Sequence, residues 1–180
     1  MDQQASIPVT MCMSKVTLAA GTTTTISTTG TTTYAIRGKA YTKAAISNGA
    51  TPTTDFATGA AFLPIPIPAT APNLAVGYGC VFTVGLNAAG DIKVIQGTIV
   101  PMDLTPAFIV APQFGGLGGQ GSGSAAGVNN DFCAIGYIIV KLGSTAVATW
   151  TFGTNNLSSV TGVTYTFVDV CTLPDRPQVA

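Results

Sequence analysis

Two short runs, Val81-Phe82-Thr83-Val84-Gly85-Leu86 and Asp91-Ile92-Lys93-Val94-Ile95-Gln96, carry alternating side chains on either side of Asn87-Ala88-Ala89-Gly90. Alternation with a period of two is the geometry of a strand, and a four-residue connector containing glycine reverses the chain tightly. The pair therefore predicts a β-hairpin, and with it an antiparallel sheet.

The rest of the chain repeats this grammar. Phe132-Cys133-Ala134-Ile135-Gly136-Tyr137-Ile138-Ile139-Val140, closed by Lys141, is apolar, β-branched and short, which predicts a strand over 132–142 buried on both faces at the centre of the core. In 163–170 the larger apolar residues share one parity, as a half-buried strand requires, and 149–152 and 107–111 read as further strands. The threonine-dominated stretch 15–43 predicts strands at 15–19 and 32–41 with a turn around Gly30. Asn48-Gly49 and Thr51-Pro52 make 44–58 a loop. The expected fold is all-β, an antiparallel β-sandwich or jelly-roll-like barrel with extended N-terminal and Pro-rich arms. Its parts would be an arm over 1–14, one β domain over 15–172 and a tail over 173–180. The tail contains Leu173-Pro174-Asp175-Arg176-Pro177, which continues neither a helix nor a central strand and would lie on a neighbour.

Leu63-Pro64-Ile65-Pro66-Ile67-Pro68 is the most individual local feature. Alternate prolines hold the backbone extended and remove every second amide donor, so the segment fits an edge strand or a polyproline stretch and not a central strand. Within 63–73 the chain is either an arm laid across a partner, with Ile65 and Ile67 entering one apolar groove, or a connector that covers its own core. Leu63, Pro64, Ile65, Pro66, Ile67 and Pro68 are accordingly the candidate partner-binding residues.

Composition narrows the chemistry. The 180 residues include 47% hydrophobic and only 8% charged residues, against about 25% charged in an average domain. Threonine, serine, asparagine and glycine must keep the surface wet, which suits permanent packing against neighbours. The chain has no His and no Glu, so Ser/His/Asp and Cys/His catalytic arrangements are excluded. Asp91, Asp103, Asp131 and Asp169 stand singly near turn residues, where aspartate commonly caps backbone amides. Seven Lys and Arg balance seven acidic residues without clustering, unlike the basic stripe a nucleic-acid partner needs.

Cys12, Cys80, Cys133 and Cys171 are widely spaced in apolar surroundings and read as small buried hydrophobes, not as disulfides or zinc ligands. Gly116, Gly118 and Gly121 have the GxGxxG spacing, but the chain continues from them in Gly, Ser and Asn, so residues 115–130 read as a surface loop and not a nucleotide cradle. The window 60–84 is uncharged, yet Pro64, Pro66, Pro68 and Pro72 would break a spanning helix, and no membrane association is expected. Met1-Asp2-Gln3-Gln4 lacks the basic start of a secretory signal, so a cytosolic product is expected. No cofactor and no metal are expected.

Three blocks carry a family resemblance: Cys133 through Lys141; Trp150-Thr151-Phe152-Gly153-Thr154-Asn155-Asn156-Leu157 together with the tail; and Ala35-Ile36-Arg37-Gly38-Lys39-Ala40 with Thr51-Pro52-Thr53-Thr54-Asp55. They resemble head-associated virion structural proteins of tailed bacteriophages, the capsid decoration or cement proteins. The resemblance implies a β-rich protein present in many copies, assembled in the host cytoplasm and placed on the outer surface of the head. Its implied partners are the major capsid protein and itself, as a homo-oligomer, with a trimer one candidate state. It carries over no catalytic residue.

The function this implies is that of a non-enzymatic protein that bridges and stabilises capsid subunits. The closest rival is a tail-fibre or receptor-binding module, which usually shows repeats that this chain lacks. A glycan-binding β-sandwich would want exposed aromatics, and one Trp gives little to build a sugar platform.

Overall fold

A computed structural model describes residues 10–67, 77–101 and 131–170. The expected strand 107–111, the glycine-rich loop 115–130 with its GxGxxG spacing, residues 1–9 of the N-terminal arm, Pro68, Asp103, Cys171 and the tail 173–180 all lie outside them.

The described chain is all-β. Its elements are β1 (Met11–Cys12), β2 (Ala19–Ala20), β3 (Ile26–Ser27), β4 (Thr32–Ile36), β5 (Lys39–Lys43), β6 (Tyr78–Leu86), β7 (Ile92–Gln96), β8 (Val100–Pro101), β9 (Cys133–Leu142) and β10 (Val163–Asp169). They form antiparallel sheets ordered β1-β4-β5, β2-β3 and β10-β9-β6-β7, with β8 continuing along β6 beyond the end of β7. β1 and β4 lie against β9, and one apolar cluster joins Cys12, Tyr34 and Ile36 of the small sheet to Phe82, Val84, Ile138 and Val140 of the large one. That is the arrangement of a β-sandwich.

The expected hairpin forms as β6 and β7, with Leu86 opposite Ile92 and Phe82 opposite Gln96. At its tip Gly90 N–H donates to the Asn87 carbonyl at 2.9 Å, and Asp91 N–H donates to Asn87 Oδ1 at 2.7 Å. Tyr34 Oη donates to the Asn87 carbonyl at 2.8 Å and so ties the tip to the small sheet.

Three strand expectations need correction. The stretch 32–41 is not one strand but the hairpin β4–β5, because Arg37 and Gly38 both adopt positive φ, 51° and 78°. A two-residue connector with that handedness matches the twist of its flanking strands. Most of 15–19 is not strand either. Thr17 sits at φ 50°, where its N–H and that of Leu18 donate to the Asp169 carboxylate at 3.0 and 2.7 Å, so pairing begins only at Ala19. Of 149–152 only Trp150 pairs, in an isolated bridge with Ile65, before the chain turns at 152–155.

The burial expectation for 132–142 also shifts. β9 lies centrally, but Tyr137, Ile139 and Lys141 are only half-buried while Ile138, Val140 and Leu142 are fully covered. The register against β6 slips by one residue between Val84 and Gly85, which changes the parity of the covered face along β9. The strand buried on both faces is instead β6, covered from Gly79 to Leu86.

Residues 11–12, expected within the N-terminal arm, are β1 and pair with β4, Met11 opposite Ala35. Cys12, Cys80 and Cys133 are buried, as small hydrophobes would be.

Candidate docking segment

Residues 63–67 are held through the amides of Leu63 and Ile65, two of the three donors that the alternating prolines leave in place. Ile65 N–H donates to the Trp150 carbonyl at 2.8 Å, and Trp150 N–H returns the bond to the Ile65 carbonyl at 3.1 Å. The Gln96 side chain does the same for Leu63: its Oε1 accepts from Leu63 N–H and its Nε2 donates to the Leu63 carbonyl, both at 2.8 Å. A carboxamide presents a donor and an acceptor side by side, so here it substitutes for a strand neighbour.

The support behind Gln96 is Asp55, only 6% exposed. Asp55 Oδ2 accepts from Gln96 N–H at 2.6 Å, while Oδ1 accepts from Ala57 N–H, Thr58 N–H and the Thr58 hydroxyl at 2.8, 2.9 and 3.2 Å. Phe56 N–H meanwhile donates to the Val94 carbonyl at 2.8 Å. Segment 55–63 thus closes the outer edge of β7, satisfying groups that an edge strand would leave open.

Side chains along the segment divide. Phe62 and Ile65 are buried, Ile65 completely, among aromatic rings that stack or meet edge-on: Phe62–Phe152 at 5.2 Å, Phe82–Phe152 at 4.8 Å and Phe82–Trp150 at 5.8 Å between centroids. Trp150 is 1% exposed and a core residue; its Nε1 and Tyr165 Oη both donate to the Asn156 carbonyl, at 3.0 and 2.9 Å. Leu63 is 65% exposed and Ile67 41% exposed, with Pro64 exposed and Pro66 half-buried. Ile65 and Ile67 therefore do not share one groove. The bridge to Trp150 holds Ile65 in the buried core cluster, and past Pro66 no described hydrogen bond holds the chain inward.

The segment is a connector at Ile65 and a clamped ridge at Leu63. Its isoleucine anchor is legible as an alternative in the sequence. Gln96 and Asp55 are not, although Asp55-Phe56-Ala57-Thr58-Gly59 is the local pattern in which a carboxylate caps following amides.

The single aspartates behave likewise. Asp131 Oδ1 accepts from Ala88 N–H at 2.6 Å, Asp169 holds Thr17 and Leu18, and Asp91 Oδ2 accepts from Asn87 Nδ2 at 3.1 Å. Burial pushes the thiols of Cys80 and Cys133 up to about 12, with hydrogen bonds from their surroundings only partly opposing it. These thiols stay protonated and unreactive near neutral pH.

Compared with protein-family models, curated proteins and solved structures, the chain matches none.

Proposed function

We propose that this protein is a virion structural protein that decorates the head of a tailed bacteriophage and stabilises it by bridging major capsid protein subunits. The observation that carries the proposal is the docking ridge: Leu63 and Ile67 stand out from a segment whose backbone is clamped by Trp150 and Gln96. A pre-ordered apolar ridge loses little conformational freedom on binding, so burying each of its large side chains can contribute about 1.5–3 kcal/mol to attachment. The low charge of the chain supports the same reading, since little desolvation opposes contact. Asp55, Asp91, Asp131 and Asp169 are engaged in holding loops, a use of carboxylates that favours a structural role.

The test is to add purified protein to heads stripped of it and count bound copies by cryo-electron microscopy. Leu63→Asp with Ile67→Asp, both at exposed positions, should leave the unfolding midpoint near wild type and weaken attachment by at least about a hundredfold. Heads carrying wild-type protein should also withstand heating that opens bare heads. Full occupancy by the double variant would remove the ridge from the account, and failure of the wild type to bind heads would remove the function.

A further inference from the structure

The two edges of the large sheet are treated oppositely. β7 is sealed by residues 55–63, through Asp55, Phe56 and Leu63. β10 is not. In its pairing with β9, Val170 N–H donates to the Ile135 carbonyl at 3.1 Å and Gly143 N–H to the Gly162 carbonyl at 2.8 Å. Antiparallel ladders alternate, so the even-numbered residues of β10 face β9 and the backbone groups of Tyr165 and Phe167 point away from the sheet. No described residue pairs with them.

An outward row of donors and acceptors accepts one class of occupant, an extended strand. Proteins usually guard such an edge with lysine, proline or a bulge. β10 has none of these: Val163-Thr164-Tyr165-Thr166-Phe167-Val168 is uncharged, and its pairing with β9 is regular throughout. The one charge, on Asp169, is turned onto the amides of Thr17 and Leu18.

We infer that β10 is a self-association edge, where two copies of the chain pair antiparallel about a two-fold axis at Thr166 and join their large sheets into one. The groups that face outward must pair with one another, and an axis at Thr166 places both aromatic residues in such pairs. About that axis Tyr165 of one copy lies opposite Phe167 of the other in hydrogen-bonded pairs, giving about four new backbone hydrogen bonds. Aromatic residues directly opposite on one face are among the favourable cross-strand pairs. Both are only half-buried in one copy and pack on the core, so pairing extends the apolar layer across the junction.

Thr164 and Thr166, exposed on the other face, meet Val168 and Thr166 of the second copy. Charge placement favours this edge over that of β5, the edge strand of the small sheet. Two copies of β5 paired about Tyr41 would set Lys39 against Lys43, like charges that repel, whereas two copies of β10 bring no like charges together. The inference deepens the assembly reading by naming the surface for self-contact, and it is tested without the capsid.

The full chain carrying Cys171→Ser is followed by sedimentation velocity from roughly micromolar to roughly millimolar concentration. It should dimerise with concentration, and Thr166→Lys should weaken the dimer by at least about tenfold without lowering the unfolding midpoint. Thr166→Cys reads the register. At the two-fold axis its two copies lie in a non-hydrogen-bonded pair with Cα atoms about 4.5 Å apart, within disulfide reach. Mild oxidation should therefore cross-link Thr166→Cys and leave Thr164→Cys uncross-linked. A chain that stays monomeric throughout, a dimer indifferent to Thr166→Lys, or cross-linking of Thr164→Cys in preference to Thr166→Cys would overturn the inference. Each of these leaves the head-binding test untouched.

Discussion

Replacing Asp55 with asparagine changes one atom and should destabilise the protein severely. The carboxylate accepts four hydrogen bonds, three at Oδ1 and one at Oδ2. Asparagine can keep its oxygen toward Ala57 and Thr58, but its amide nitrogen then faces Gln96 N–H, donor against donor. The charge-assisted bond, worth about 1.5–3 kcal/mol, is lost, and a buried amide is left unsatisfied. Turning the side chain over is worse, since the amide would then face both Ala57 N–H and Thr58 N–H. The expected loss is about 3–4 kcal/mol, a fall of roughly 10 °C in Tm for a chain of this size. Asp55→Ala should cost somewhat more, because all four bonds go. Chemical denaturation monitored by fluorescence suits the measurement, since Trp150 is the sole tryptophan and is buried. A loss below about 1 kcal/mol for Asp55→Asn would show that the carboxylate does not hold the segment in the way described.

Two further outcomes are expected. The thiols of Cys80 and Cys133 lie near 12 in the folded protein against 9 ordinarily, and Tyr165 near 12 against 10, each raised first by burial. A raised acid favours the state that keeps its proton, so their contribution to stability is complete below pH 9 and is lost as the pH climbs toward 12. Denaturation midpoints should fall across that window, and a flat profile would contradict the burial of these groups. Gly85→Ala would drive a methyl group into the Phe132 ring and to 2.7 Å from the Cys133 carbonyl oxygen. A loss of about 3 kcal/mol in denaturant unfolding is expected, and an unchanged midpoint would mean that the register slip near Gly85 can relax.

What is legible in the sequence is local. The β6–β7 hairpin is announced by two runs whose period and connector agree, and β10 by a parity that Thr164 and Thr166 keep clean. Arg37-Gly38 does not announce a turn, because arginine is not among the residues that favour positive φ, so the run on either side looks continuous. β9 promises two buried faces because its residues are nearly all apolar, whereas β6, interrupted by Gly79, Thr83 and Gly85, is the strand that is covered from Gly79 to Leu86. Burial there is decided by what other segments lie across the strand, which no window along the chain contains. Thr17 and Leu18 lose their strand to Asp169, more than a hundred residues away in sequence. Within the docking segment, the prolines announce an extended connector, but the division between buried Ile65 and exposed Leu63 and Ile67 is set by Trp150 and Gln96.

A chain with so few charges cannot guard every sheet edge with them, so where it places its lysines carries information. Lys39 and Lys43 sit at the two ends of β5, and Lys93 lies in β7, where its ammonium approaches Asp91 at 3.9 Å and the Phe56 ring at 5.8 Å. β7 is doubly closed, by charge and by the segment that Asp55 and Gln96 hold against it. β10 receives neither, although it is as long as any edge strand described and its middle, Tyr165-Thr166-Phe167, is made of β-prone residues. An unguarded edge is a hazard for a protein that lives alone and an asset for one that assembles. In the proposed assembly, Leu63 beside the sealed edge would meet the capsid and the open edge would meet a second copy, so these two contacts would use opposite ends of the sheet order.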